Sequence, residues 1–129
     1  MNENLRNFIN ETQTLLPVGK SISLPEAEKR AGQFLYALAY ITDERFNLGD
    51  AKIKALSVQS AVYAEVLAAG EAKTITENKI AAEANPAYIG AREELELVEN
   101  QLTFLKAYYE IFNNAHIFYR NMAKGEFGV

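Results

Sequence analysis

The chain has 129 residues, enough for one ordinary domain to bury a core without help from metals or disulfides. Hydrophobic residues make up 49% and charged residues 23%, with only 3 prolines and 7 glycines, which excludes a disordered chain and favours long helices. The formal net charge of -4 argues against a protein whose whole surface grips nucleic acid, and the absence of cysteine excludes disulfide frameworks, thiol catalysis and Cys-type zinc sites.

The opening MNENLRNFIN lacks a basic stretch followed by an apolar run, and no apolar segment approaches about 18 residues, so a soluble, cytoplasmic chain with no membrane partner is expected. Leu5, Phe8, Ile9, Thr12, Leu15 and Leu16 recur at three- and four-residue spacing, which predicts a short amphipathic helix over residues 1–16, ended by Pro17-Val18-Gly19. Ser23-Leu24-Pro25-Glu26 is a capping-box start: the Ser hydroxyl can accept from the third helical amide, and proline suits the first turn because its missing N–H is not needed there.

A long helix follows, predicted over 24–70. Its first stripe is Ala27, Ala31, Phe34, Leu38 and Ile41; a bend or break is expected near Gly49; the pattern resumes through Ile53, Leu56, Ser60, Tyr63 and Leu67 to a stop at Gly70. Thr74-Ile75-Thr76-Glu77 repeats the capping-box pattern, and Asn85-Pro86 supplies a cap and a first-turn proline. The second arm, 74–124, is therefore either two helices with a break at Asn85-Pro86 or one helix kinked there. The fold predicted is all-α: a single helical domain over 1–129, with a short N-terminal helix and a long antiparallel helical hairpin forming a coiled-coil-like, oligomeric bundle.

The last helix carries the strongest pattern. Leu95, Val98, Leu102, Leu105, Tyr109, Phe112, His116, Tyr119 and Ala123 form a heptad seam. Beside it runs a second stripe, Leu97, Gln101, Phe104, Tyr108, Ile111, Ala115, Phe118 and Met122. Two adjoining apolar stripes need two neighbours, because each large side chain left in water forgoes about 1.5–3 kcal/mol. One neighbour is the preceding long helix, and a second chain is a candidate for the other. Within LKAYYEIFNNAHIFYRNM, the only histidine, His116, occupies a core-type position, so packing is its first reading and a chemical role its second.

Tests for chemistry return little. A carboxylate-bridged di-metal bundle needs Glu with His three residues on, yet Glu110 is followed at that spacing by Asn113. Glu93, Glu94, Glu96 and Glu99 fit a solvated helix start better than paired general acids. No nucleophile triad, phosphate-cradling glycine loop or metal spacing is present, so neither catalysis nor a cofactor is expected. Lys52, Lys54, Lys73, Lys79 and Arg92 are candidate phosphate-binding residues that an oligomer would repeat into a multivalent rim. Tyr36, Tyr40, Tyr63 and Tyr88 could stack bases.

The stretch AKIKALSVQSAVYAEVLAAGEAKTITENKIAAEANPAYIGAREELELVENQLTFLKAYYEIFNNAHIFYRNMA resembles the UvsY-type recombination mediators of tailed phages. The shared outline is a long helix, a Gly-containing loop, Thr-x-x-Glu with a following Lys, then a helix whose leucine-aromatic run ends near Asn114-Ala115-His116 and Arg120. It covers a little over half of the chain. The resemblance implies an oligomeric accessory factor, in the host-cell cytoplasm for a phage-encoded chain. Such a factor binds single-stranded DNA and helps load a RecA-like recombinase onto strands covered by single-strand-binding protein. The family's DNA-contacting side chains are basic residues on the helix before the loop. Here Ala55 to Gly70 has no Lys or Arg, and within the resembling stretch only Lys52 and Lys54 lie upstream on that helix. The family's oligomer-forming last helix carries over onto Leu102, Leu105, Tyr109, Phe112 and Tyr119.

Two other readings stand beside this one. The first is an adaptor or inhibitor that meets a basic partner through Glu93 to Glu99, for example a phage factor acting on a host or defence protein. The second is a structural bundle component of a larger assembly.

Overall fold

The computed structural model describes residues 3–17, 21–69 and 74–125. Four helices account for almost all of them: α1 (Glu3–Gln13), α2 (Leu24–Ala69), α3 (Ile75–Glu83) and α4 (Pro86–Ala123); no strand occurs among the described residues. The class is all-α.

Local chemistry explains the ends. The Glu26 amide donates to Ser23 Oγ at 3.2 Å to start α2, while the Glu26 carboxylate turns instead to Arg30 Nε at 3.1 Å. The Glu77 amide donates to Thr74 Oγ1 at 3.1 Å to cap α3. The Ala87 amide donates to Asn85 Oδ1 at 2.8 Å, so α4 begins at Pro86 as a separate helix. The N-terminal helix ends at Gln13 and gives way to turns through Leu16. At Gly49, where a bend or break is expected, α2 continues as helix, because the turns on both sides hold its backbone bonds in place.

The chain divides into two compact units: unit 1 is Met1–Arg45 with Thr103–Val129, and unit 2 is Phe46–Leu102.

Unit 1 packs α1, the first half of α2 and the second half of α4. Leu5, Ile9, Ala27, Ala31, Phe34, Ala37, Leu38, Ile41, Leu105, Phe112, Ala115 and Tyr119 are buried there. Phe34 sits between Phe112, 5.4 Å away, and Tyr119, 5.9 Å away and stacked. Such ring pairs add about 0.5–1.5 kcal/mol each beyond their burial. α1 is fastened by Phe8, whose ring stacks on Tyr40 at 4.9 Å and meets Tyr36 edge-on at 5.7 Å. Beyond α1, the Tyr119 hydroxyl donates to the Leu15 carbonyl at 2.6 Å and accepts from Arg30 Nη1 at 3.1 Å. Arg30 is thus held above the ordinary guanidinium value, first by Tyr119 and then by Glu26.

Unit 2 packs the second half of α2, α3 and the first half of α4 around much smaller residues. Ala55, Ala82, Ala91 and Val98 are its buried side chains among the described residues. Tyr63 and Tyr88 meet at 5.5 Å, and Gln59 Nε2 reaches the Tyr88 hydroxyl at 3.4 Å. In each unit α2 and α4 run antiparallel: Arg30 meets Tyr119 and Phe34 meets Phe112 in unit 1, and Lys52 meets Glu99 and Tyr63 meets Tyr88 in unit 2.

Candidate functional site

On α4 the most buried line is a strict seven-residue repeat: Ala91, Val98, Leu105, Phe112 and Tyr119. The other members of the first predicted seam, Leu95, Leu102, Tyr109 and His116, flank it and are half-buried. His116 Nδ1 lies 2.8 Å from the Ala31 carbonyl. A carbonyl only accepts, so Nδ1 carries a proton and donates it. The histidine therefore fastens α4 to α2 within unit 1.

The second stripe finds its neighbour within the chain in unit 1. Gln13 Nε2 donates to the Tyr108 hydroxyl at 3.0 Å, and Tyr108 in turn contacts Phe104 and Phe112. Phe104, Tyr108 and Phe118 are half-buried, and Ile111 is exposed. A second copy is not required to cover the middle of this stripe, because α1 lies there. On the side of unit 1 where α2 and α4 meet, Leu35, Thr42, Tyr109, Asn113, Ile117 and Arg120 line an open groove of mixed polarity. Arg45 sits 5.5 Å over the Tyr109 ring in the same unit.

The basic candidates belong to unit 2. Lys52 approaches Glu99 at 3.9 Å and Arg92 approaches Glu96 at 3.9 Å, both half-exposed pairs. Lys54 and Lys79 are exposed, and Lys73 lies outside the described residues. These five are all the cations of residues 46–102, which hold nine acidic residues; this segment thus carries the whole of the chain's -4. The acids of α4 already meet two of the candidate cations, so the phosphate-facing field of one chain is weak. Of the tyrosines proposed for stacking, Tyr36 and Tyr40 are spent on Phe8, whereas Tyr63 and Tyr88 line an open groove with Gln59, Ser60 and Glu83.

The largest departure from the sequence concerns α2 in unit 2. The stripe expected to face the core, Ile53, Leu56, Ser60, Tyr63 and Leu67, points largely the other way. Ile53 is 67% exposed and Leu56 42%, and Phe46, one heptad before Ile53, is 72% exposed. Ala55 takes the inward position instead, and it is buried. Periodicity does not mark Phe46, since it falls just before the glycine where a break is expected. The signal that could have found it is its seven-residue spacing to Ile53 and Ser60.

α3 is turned in the same sense. Ala82 is its buried residue and Asn78 is half-buried, with Oδ1 shielded from solvent and lacking a hydrogen-bond partner, while Ile75 and Ile80 are 76% and 63% exposed. Unit 2 therefore fully buries only small side chains, half-covers Tyr63, Leu67, Tyr88, Ile89, Leu95 and Leu102, and leaves Phe46, Ile53, Leu56, Ile75 and Ile80 exposed.

Among the described residues no helix is long and apolar enough to cross a membrane, and no group of three or more His, Cys, Asp or Glu is placed to hold a metal ion. No family model matches the chain, and no curated protein or solved structure matches it.

Proposed function

We propose that this protein is a non-catalytic accessory factor of DNA recombination, of the mediator kind that the resemblance implies, and that it works as an assembly of copies. Phe46, Ile53, Leu56, Ile75 and Ile80 carry this reading: they are large apolar side chains that unit 2 leaves in water. A surface of this kind marks an association face. Lys54 and Lys79, exposed beside the Tyr63 and Tyr88 groove's unit, repeat with each copy. Copies multiply a phosphate contact that is weak in one chain. A RecA-like recombinase and a single-strand-binding protein are the partners of this reading.

The test combines solution mass with a fluorescence titration against a single-stranded oligonucleotide at two salt concentrations. The expected result is a multimer whose affinity falls steeply with salt, with a logarithmic slope of about 0.7 per phosphate neutralised. A monomer, or an oligonucleotide that stays unbound at low salt, overturns the proposal.

The charge partition favours a second reading, an adaptor or inhibitor that presents the exposed Glu93, Glu94, Glu96 and Glu99 to a basic partner protein. Under it, reversing Glu94, Glu96 and Glu99 to Lys abolishes partner capture with helicity intact. Under the mediator reading the same reversal tightens oligonucleotide binding.

A further inference from the structure

We infer that the outward stripe of α2 in unit 2 is a coiled-coil seam that pairs, in parallel and in register, with the same stripe of a second copy. The inference rests on the assembly reading above and names its interface. Phe46, Ile53 and Ser60 recur every seven residues, and Gly49, Leu56 and Tyr63 recur every seven residues between them, so the six form alternate three- and four-residue steps along one helix. Ala55, the inward residue, lies about 160° around the helix from Ile53 at 100° per residue, which puts the Phe46, Ile53 and Ser60 edge of the seam on the far side from the unit's own core.

Three observations make a second copy of this chain the occupant. First, Phe46, Ile53, Leu56 and Ser60 are exposed at core-type spacing, while Gly49 and Tyr63 are half-buried, and their order suits knobs-into-holes packing: beyond its own helix backbone nothing lies within 4 Å of where a Cβ on Gly49 would stand, which leaves a hole beside the large knobs Phe46 and Ile53. Second, the two flanks of the seam differ in charge, with Asp50 on one side and Lys52 on the other. Parallel copies set the Asp50 flank of one against the Lys52 flank of the other, whereas antiparallel copies set like against like. Third, the seam is uninterrupted helix from Phe46 to Tyr63, so both copies present the same rigid spacing.

The chain has no cysteine, so single-cysteine variants are clean probes of this pairing. Gly49→Cys and Ser60→Cys lie on the seam; Val58→Cys is exposed on the same helix but off it. A disulfide needs Cα atoms within about 7 Å, which in-register parallel seams provide at equivalent positions. Under mild oxidation of the full-length variants, Gly49→Cys and Ser60→Cys are expected to give at least about tenfold more cross-linked dimer than Val58→Cys. Ile53→Glu, with helicity checked by circular dichroism, is expected to lower the solution mass.

Cross-linking only when the Gly49→Cys and Ser60→Cys chains are mixed is the antiparallel product and overturns the parallel pairing. A multimeric wild type whose seam cysteines cross-link no better than Val58→Cys, and whose mass survives Ile53→Glu, sinks this inference while the assembly proposal stands. A monomeric wild type sinks both and gives the stripe to a foreign partner.

Discussion

Units 1 and 2 are built on the same two long helices, yet unit 1 fully buries large apolar side chains and unit 2 fully buries only small ones. Unit 1 turns Phe34, Ile41, Leu105, Phe112 and Tyr119 inward and closes over them with Leu5 and Ile9 of α1. Unit 2 turns Ala55, Ala82, Ala91 and Val98 inward and leaves Phe46, Ile53, Leu56, Ile75 and Ile80 outside. Full burial of one large side chain is worth about 1.5–3 kcal/mol, several times what a buried alanine methyl contributes, so unit 1 holds most of the packing energy of the isolated chain. Unit 2 fully buries only small side chains, and its exposed Phe46, Ile53, Leu56, Ile75 and Ile80 add little burial energy to the isolated chain.

The sharpest way to break this contrast is a pair of truncations on α4. Phe112→Ala removes a fully buried ring in contact with Phe34 and Tyr108, and should cost about 3–5 kcal/mol in a urea unfolding curve. Leu97→Ala, on the exposed side of the same helix in unit 2, should stay within about 0.5 kcal/mol. Equal losses from the two would mean that unit 2 has a core of its own and that the contrast is wrong.

Next in size is Tyr119→Phe. Its hydroxyl is the single group that joins the Leu15 carbonyl to the Arg30 guanidinium, so its loss leaves a shielded carbonyl without that donor and should cost about 1–3 kcal/mol. The expected signature is local: faster amide exchange in α1, with α3 unchanged. Because the Tyr119 hydrogen bond is the leading cause of the raised Arg30 value, the arginine stays charged in the variant at every ordinary pH, and the loss should be flat with pH. A loss that grows or vanishes between pH 5 and pH 9 would point to a different titrating group.

How much of this was legible beforehand follows the same division. Capping chemistry is local, so Ser23, Thr74 and Asn85 can be read as helix starts from three or four letters each, and the structure places their side-chain bonds where expected. The seam on α4 is legible in unit 1, where Leu105, Phe112 and Tyr119 recur every seven residues and are buried. In unit 2 the same rule misleads. Ile53 and Leu56 make the larger stripe on α2, but the inward face belongs to Ala55, and no periodicity says which of two faces a helix turns to its own chain and which it keeps for another. The role of α1 as the cover of Tyr108 is a contact across 95 residues, which spacing cannot show.

Asn78→Ala sharpens the contrast from the other side, by strengthening unit 2. Asn78 Oδ1 is shielded with no hydrogen-bond partner, and asparagine is a weaker helix former than alanine. The replacement should stabilise α3 by about 0.5–1 kcal/mol, read as a several-fold rise in exchange protection confined to residues 75–83. A loss of protection there would show that the asparagine side chain is satisfied after all.

The smallest expected change in stability carries the most weight for function. The Lys52–Glu99 and Arg92–Glu96 pairs are 3.9 Å apart and half-exposed, so their Coulomb attraction is screened by water, and Lys52→Ala or Arg92→Ala should change unfolding free energy by less than about 0.5 kcal/mol. If unit 2 meets single-stranded DNA, each substitution should still weaken oligonucleotide binding and reduce the salt slope by about 0.7, because a lysine shared with a glutamate can turn to a phosphate at little cost. Removal of the acid, Glu99→Gln, should then act in the opposite direction and tighten binding, since it frees Lys52 and lowers the repulsion that nine acids impose on the backbone of the nucleic acid. A fall in affinity on Glu99→Gln would mean that the pair itself, rather than its cation, is what the partner reads, and would move the assignment from nucleic acid to a basic protein surface.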